Sequence, residues 1–315
     1  MKEVRAILVT LAVAVSLLVV STYAGTKPSE GLIPVKGGKV WYRIVGSGKG
    51  TPLLVLHGGP GVPSYYLKPL AALGDDRPVI FYDQLGAGHS DTTSDTTLFT
   101  MPRFLDELAT VRKTLDLKEV HLYGHSWGSM MVVDYLLTKP SGVKSCILAG
   151  AAMSIPRWQH DADSLVKTLP DSVQQVIQKN EAAGTTQSPE YQLAVMTFYQ
   201  MYLARRLPWS ADLDSSLSQI NGALYAYMNG PSEFAITGTF RDYDRTTQLR
   251  QIAIPTLFIC GQYDEAVPST EKYFQSLVPK AELVVVPNSA HLAMQDNPEF
   301  YVNALRSFLR RADKK

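Results

Sequence analysis

A mostly parallel α/β sheet with helices on both faces, interrupted by a helical insertion, is the architecture this sequence predicts. Three observations predict it. Short apolar runs alternate with helical segments up to about residue 153 and again from about residue 251. Between them the alternation stops, and 155–250 reads as mostly helical, broken at Pro170, Gly184, Pro189, Pro208 and Pro231. Finally, an apolar strand at 119–123 and a helix at 130–137 enclose Gly124-His125-Ser126-Trp127-Gly128. Gly-x-Ser-x-Gly between a strand and a helix is a sharp turn that lifts a serine hydroxyl above the sheet. A Cβ at Gly124 or Gly128 would collide with the neighbouring strand or helix. The helix N-terminus beside Ser126 favours a developing negative charge.

The chain has 315 residues, 45% hydrophobic and 19% charged, enough for a large core plus a lid. A net charge of +1 gives no electrostatic reason to expect nucleic acid or an anionic surface as partner. Lys2 and Arg5 precede an apolar run from Ala6 to Val20, followed by Ser21-Thr22-Tyr23-Ala24-Gly25. Residues 1–24 therefore read as a signal peptide cut after Ala24, which implies a periplasmic or secreted protein. An uncleaved N-terminal anchor is the alternative, although the run is short of the roughly 20 residues of a membrane span. Export would permit a disulfide between Cys146 and Cys260. If their strands are parallel neighbours, the two are offset by about four residues of roughly 3.3 Å each. That exceeds disulfide reach, so both are expected as buried free thiols.

In chain order, 40–45 is an early strand and 53–56 is a continuous apolar run of the kind found inside a parallel sheet. The run ends in His57-Gly58-Gly59-Pro60-Gly61, whose glycines let the backbone approach a ligand closely. An elbow serine needs a second N–H donor from this place in the fold, so Gly59 and Trp127 are the expected oxyanion hole. A strand at 78–82 leads to Asp83, read as a structural residue that bonds loop backbone. A helix at 104–115 precedes the elbow, and a strand at 143–148 follows it. After the insertion come a strand at 255–260, a helix at 270–277, a strand at 283–286 and a helix at 299–309. The sum is an α/β-hydrolase fold, with core residues 25–153 and 251–315 and a helical cap at 154–250.

A serine nucleophile needs a base that is itself oriented by a third group. In this fold the order is serine, acid, histidine. Of six histidines, only His291 follows the resumed strands, in Pro287-Asn288-Ser289-Ala290-His291. The acid belongs past the preceding strand, in Gly261-Gln262-Tyr263-Asp264, where spacing favours Asp264 over Glu265. Asp264 would hold the His291 tautomer and stabilise the imidazolium. No cluster has metal-ligand spacing, and no cofactor is expected.

With these residues in place, the chain resembles the proline iminopeptidase family of serine peptidases, with tricorn-associated aminopeptidases and amino-acid amidases as relatives. The shared text is His57 to Gly61, Asp83-Gln84 with Gly86, Gly88 and Ser90, Gly124 to Ser129, and Asp264 and His291 in their loops. In the cap it includes Met228-Asn229-Gly230-Pro231-Ser232-Glu233-Phe234 and Thr237-Gly238-Thr239. The resemblance implies release of an N-terminal residue, often proline, from a small peptide or amide with a free amino terminus. It also implies that Glu233 neutralises that amine. The residues alone leave a helix-capping role for Glu233 equally open. Relatives often carry a second acid just before a cap tryptophan, and Arg205-Arg206-Leu207-Pro208-Trp209 has none. The triad by itself also fits an esterase or lactonase, and a non-catalytic ligand receptor is the reading outside enzymes.

Overall fold

The structure is a computed structural model that describes residues 27–314. The signal peptide or anchor expected at 1–24 lies outside the described residues. In chain order the elements are β1 (Ser29–Val35), β2 (Gly38–Val45), β3 (Leu53–Leu56), β4 (Val79–Tyr82), α1 (Met101–Thr114), β5 (Val120–His125), α2 (Trp127–Leu137) and β6 (Val143–Ala149). Next come α3 (Ile155–Val166), α4 (Asp171–Ala183), α5 (Pro189–Tyr202), α6 (Ala211–Ser218) and α7 (Gly222–Met228). The chain closes with β7 (Thr256–Gly261), α8 (Pro268–Leu277), β8 (Ala281–Val286), α9 (Ala293–Asp296) and α10 (Pro298–Ala312).

The described strands form one eight-stranded sheet in the order β1-β2-β4-β3-β5-β6-β7-β8. β1–β2 and β2–β4 pair antiparallel, and every other pair is parallel. β3, β4, β5 and β7 are buried along their whole length, because helices cover both faces and leave no solvated side. Side chains alternate between two cores: Leu54 and Leu56 join one with α1 and α2, while Leu53 and Val55 join the other with α10. Among the described residues, no helix is long and apolar enough to cross a membrane.

Two differences from the sequence reading stand out. β1 was not expected; it is an edge strand, half exposed and carrying Gly31 and Pro34, so it lacks both signals of a buried strand. The elbow helix begins at Trp127, three residues before the expected 130. Gly128 and Ser129 are poor helix formers, yet tertiary packing places them in the first turn. In the insertion the breakers act as read. Pro170 precedes α4, Gly184 ends it with φ +67°, and Pro189 opens α5.

β6 and β7 are parallel neighbours in which Cys146 faces Thr256, so Cys260 lies four positions further along its strand. Both thiols are buried and free. Burial pushes the Cys146 thiol up to about 12 and raises Cys260 as well. A thiol reagent should therefore label neither cysteine in the native protein and both after unfolding. Fast labelling of the folded chain would contradict this packing.

Candidate active site

The site begins with a close approach of backbones. A Cβ on Gly124 would lie 2.3 Å from the Gly128 carbonyl oxygen, and one on Gly128 would lie 2.4 Å from that of Leu56. With neither present, α2 packs directly against β5 and β3, and the link between strand and helix shrinks to Ser126. Ser126 has φ +52° and ψ −121°, a strained conformation for a non-glycine residue. Its N–H donates to the Ala149 carbonyl at 2.9 Å, and the residue lines a cavity of about 460 Å³. Trp127 is the first residue of the helix, so its N–H has no acceptor within the helix. Gly59 has φ +106° and lines the same cavity as Ser126.

A chain of buried hydrogen bonds holds the Gly58–Gly59 loop. His125 Nε2 lies 3.1 Å from the His291 carbonyl, which only accepts, so this nitrogen carries the proton and Nδ1 is an acceptor. The Tyr66 hydroxyl, 2.9 Å from Nδ1, donates to it and accepts the Gly58 N–H at 2.7 Å. Burial holds His125 well below the ordinary histidine range, which keeps this neutral tautomer. On the other side, His57 Nε2 accepts the Gln84 N–H at 2.9 Å, and Gln84 Oε1 accepts Trp127 Nε1–H at 2.8 Å. Asp83 does bond loop backbone: its carboxylate accepts the N–H groups of Ser64 and His89, each at 2.9 Å. The Tyr66–His125 brace was not legible in the sequence, where His125 is one of six histidines and Tyr66 stands outside any motif.

The candidate acid and base are together. His291 Nδ1 donates to Asp264 Oδ1 at 2.7 Å. Asp264 also accepts the N–H groups of Gly261 at 3.0 Å and Ala266 at 2.7 Å, so its carboxylate is fixed by the turn after β7. With Nδ1 the donor, Nε2 is the free acceptor, and it is buried with no hydrogen-bond partner. Ser126 and His291 both line the cavity without bonding each other, as in many unliganded sites, where this contact tightens only around substrate. The His291 and Leu292 N–H groups donate to the carbonyls of Tyr202 and Leu203, at 3.1 and 2.7 Å, so the end of α5 is tied to the histidine loop. Opposite the ring, a Cβ on Gly150 would lie 2.5 Å from His291 Cε1. Glu271, raised well above the ordinary range first by burial and then by Asp264, accepts the Ala151 N–H at 2.7 Å and braces that turn.

Glu233 caps no helix. Its Oε1 accepts the Tyr225 hydroxyl at 2.5 Å, and its carbonyl accepts Trp158 Nε1–H at 2.8 Å. The loop holding it is tight: a Cβ on Gly230 would lie 2.4 Å from the Ala235 carbonyl oxygen. A second carboxylate stands nearby. Glu265 is 1% exposed, neither of its oxygens has a hydrogen-bond partner, and its Oε1 lies 3.9 Å from His291 Nε2. Burial first, then the charges of Glu233 and Asp264, push it well above the ordinary glutamate range. Glu233 is also raised by burial, against the pull of the Tyr225 hydroxyl and His291. The sequence reading weighed Glu265 only as a rival to Asp264. Its surroundings come from α5 and α7, far away in the chain, so nothing local marks it. Among the described residues, no three His, Cys, Asp or Glu side chains converge as metal ligands.

The family profile described as the alpha/beta hydrolase fold matches residues 51–298. The chain is 44% identical to a proline iminopeptidase of Heyndrickxia coagulans over 283 residues, 89% of this chain and 98% of that one. It is 34% identical to a proline iminopeptidase of Saccharolobus solfataricus, over 85% of this chain and 87% of that one. Among solved structures, VinJ superposes with a TM-score of 0.87 at 33% identity, and a proline iminopeptidase of Mycobacterium smegmatis with 0.84 at 32%, each covering 90% of this chain and 99% of the other.

Gly150→Ala tests the histidine placement. The added methyl must push the imidazole, and a displacement of about 1 Å can cost roughly 100-fold in rate. The variant should fold, hold its melting temperature within a few degrees and lose kcat by about that factor. Unchanged kcat would show that His291 is not the base.

Proposed function

This chain belongs to the proline iminopeptidase family of α/β-hydrolases, and from that premise we propose that Ser126, His291 and Asp264 hydrolyse the first peptide or amide bond of a substrate with a free amino terminus. The chain is a serine hydrolase of aminopeptidase type that releases an N-terminal residue, proline favoured. Ser126 Oγ adds to the scissile carbonyl while His291 Nε2, the unbonded acceptor, takes its proton. The N–H groups of Gly59 and Trp127 bind the oxyanion. Collapse expels the amine, which takes the proton from Nε2, and leaves an acyl-Ser126 ester. Water, activated by the same histidine, hydrolyses that ester. The insertion at 154–250 serves as the cap over this site. Residues 1–24 direct export on the strength of their charged, apolar and small-residue order alone.

The observation that carries the aminopeptidase reading is the carboxylate pair. An ammonium brought out of water needs an opposite charge. The charge of Glu233 is close enough to raise the proton affinity of Glu265, and Glu265 spends neither oxygen on a hydrogen bond within the protein. Glu265 thus supplies the second acid that Arg205–Trp209 lacks. Two acids further along the cap are placed elsewhere. Asp244 accepts from Ser154 and Thr246, and Asp242 is exposed beside Arg241.

Glu233→Gln and Glu265→Gln keep shape and remove charge. Each should lower kcat/KM for a proline anilide by about 2–4 kcal/mol, the scale of a broken buried pair. Hydrolysis of a simple acetate ester should stay nearly constant and report that the variants are folded. The ratio of anilide to ester kcat/KM should also fall as pH is lowered, because protonation of the raised carboxylates removes the partner of the amine while the ester never uses it. Equal losses on both substrates would make the pair structural. No loss on either would leave an esterase.

A further inference from the structure

Two spaces meet at Ser126, and they differ in size and chemistry. One is a recess of only about 10 Å³ beside Trp127, Met130, Trp158 and Phe240. The other is the cavity of about 460 Å³. Glu233 borders both, but His291 and Leu292 border only the large one. The leaving amine must face the imidazole that protonates it. The large cavity is therefore on the leaving-group side, and the released residue sits between the small recess and Glu233.

Away from Ser126, His291, Glu233 and the tyrosines, the walls of this cavity are largely apolar. Val195 and Met196 come from α5, Leu213 and Leu217 from α6, Ile220 from the turn before α7, and Leu292 from the histidine loop. The lining residues Gln187, Gln192 and Met196 are exposed and mark the mouth. No Lys or Arg is among the described lining residues. Two consequences follow. Ammonia, about the size of a water with its share of roughly 30 Å³, would leave nearly all of this space unused. A free dipeptide would carry its terminal carboxylate into an apolar wall with no cation to pair it.

We propose that this chamber is a subsite for a bulky, apolar and uncharged leaving amine, so that the enzyme selects on the unit after the residue it removes. The preferred substrate has a large apolar second residue or amine whose far end is blocked or continues as chain. This rests on the aminopeptidase reading above, and it adds the half of the substrate that reading does not specify. The residues that set the preference come from the cap, chiefly Val195, Leu213, Leu217 and Ile220.

The test is a series with one acyl unit and leaving groups of matched amine chemistry: prolyl-leucinamide, prolyl-phenylalaninamide, prolyl-glycinamide and free prolyl-leucine. The apolar amides should exceed prolyl-glycinamide in kcat/KM by about 10- to 100-fold, the scale of burying a branched or aromatic side chain. Prolyl-leucinamide should exceed prolyl-leucine by about 10-fold or more. Ile220→Lys, which adds a cation at the wall, should narrow the second gap. Rates within twofold across the series, or an Ile220→Lys protein with an unchanged gap, would overturn the proposal. Benzyl and methyl acetate separate it from the reading beneath it. If no prolyl substrate turns over but benzyl acetate is preferred about 10-fold or more, the aminopeptidase reading fails and the apolar chamber stands. If prolyl substrates turn over without any order, the chamber assignment fails and the reading stands.

Discussion

The close approach of α2 to β5 and β3 at Gly124 and Gly128 is the constraint on which the rest of the site depends. Backbone atoms of the helix and of Leu56 occupy the space where side chains would stand. Because the gap is closed, one residue must make the whole turn, and Ser126 is forced to φ +52°. The energy of packing α2 into the core holds that conformation, which the chain would not adopt alone. The same geometry sets the Trp127 N–H at a helix N-terminus and brings Ser126 beside the Gly58–Gly59 loop. The Tyr66 and His125 bonds then join that loop to the backbone of His291. The candidate nucleophile, oxyanion donors and base are thereby linked through buried neutral groups.

A second feature is kept at a cost. Glu265 and Glu271 are buried carboxyls with unbonded oxygens, and each raises the difficulty of ionising near Asp264. For Glu271 the bond to Ala151 gives a structural return. Glu265 makes no such bond. A buried carboxyl without a hydrogen-bond partner, beside a second carboxylate, is suited to a cationic ligand that completes it. An arriving ammonium favours the ionised form of both glutamates, so binding and deprotonation of the pair are linked. Tyr225 holds Glu233 in place, and the joint between α5 and the His291 loop connects the inserted helices to the candidate base.

What the sequence made legible follows from where information is local. Leu53–Leu56 and Val79–Tyr82 are buried on both faces, and their unbroken apolar runs say so. Ser126 and Asp264 stand after fully buried strands and His291 after the edge strand β8, in the order their fold requires. β1 was missed because an edge strand with a solvated side needs neither apolar run nor clean alternation. The elbow helix was started three residues late because glycine and serine are weak helix formers, and only packing overrides that. Glu265 and the walls of the large chamber were beyond reach for another reason. Glu265 interacts with Tyr199 of α5, Tyr225 of α7 and Glu233, and the chamber joins walls from α5, α6 and α7 to the His291 loop, relations that no short stretch encodes.

Covalent capture tests the central claim most directly. A small fluorophosphonate reacts with a serine hydroxyl that has a base at hand and an oxyanion site to receive the phosphoryl oxygen. The protein should take up one equivalent as it loses activity, and peptide mapping should place the adduct on Ser126. Ser129, whose hydroxyl is committed to the Ser126 carbonyl at 2.5 Å, should stay unmodified. Loss of activity with the adduct on another residue, or full labelling of Ser126 with activity retained, would contradict the account.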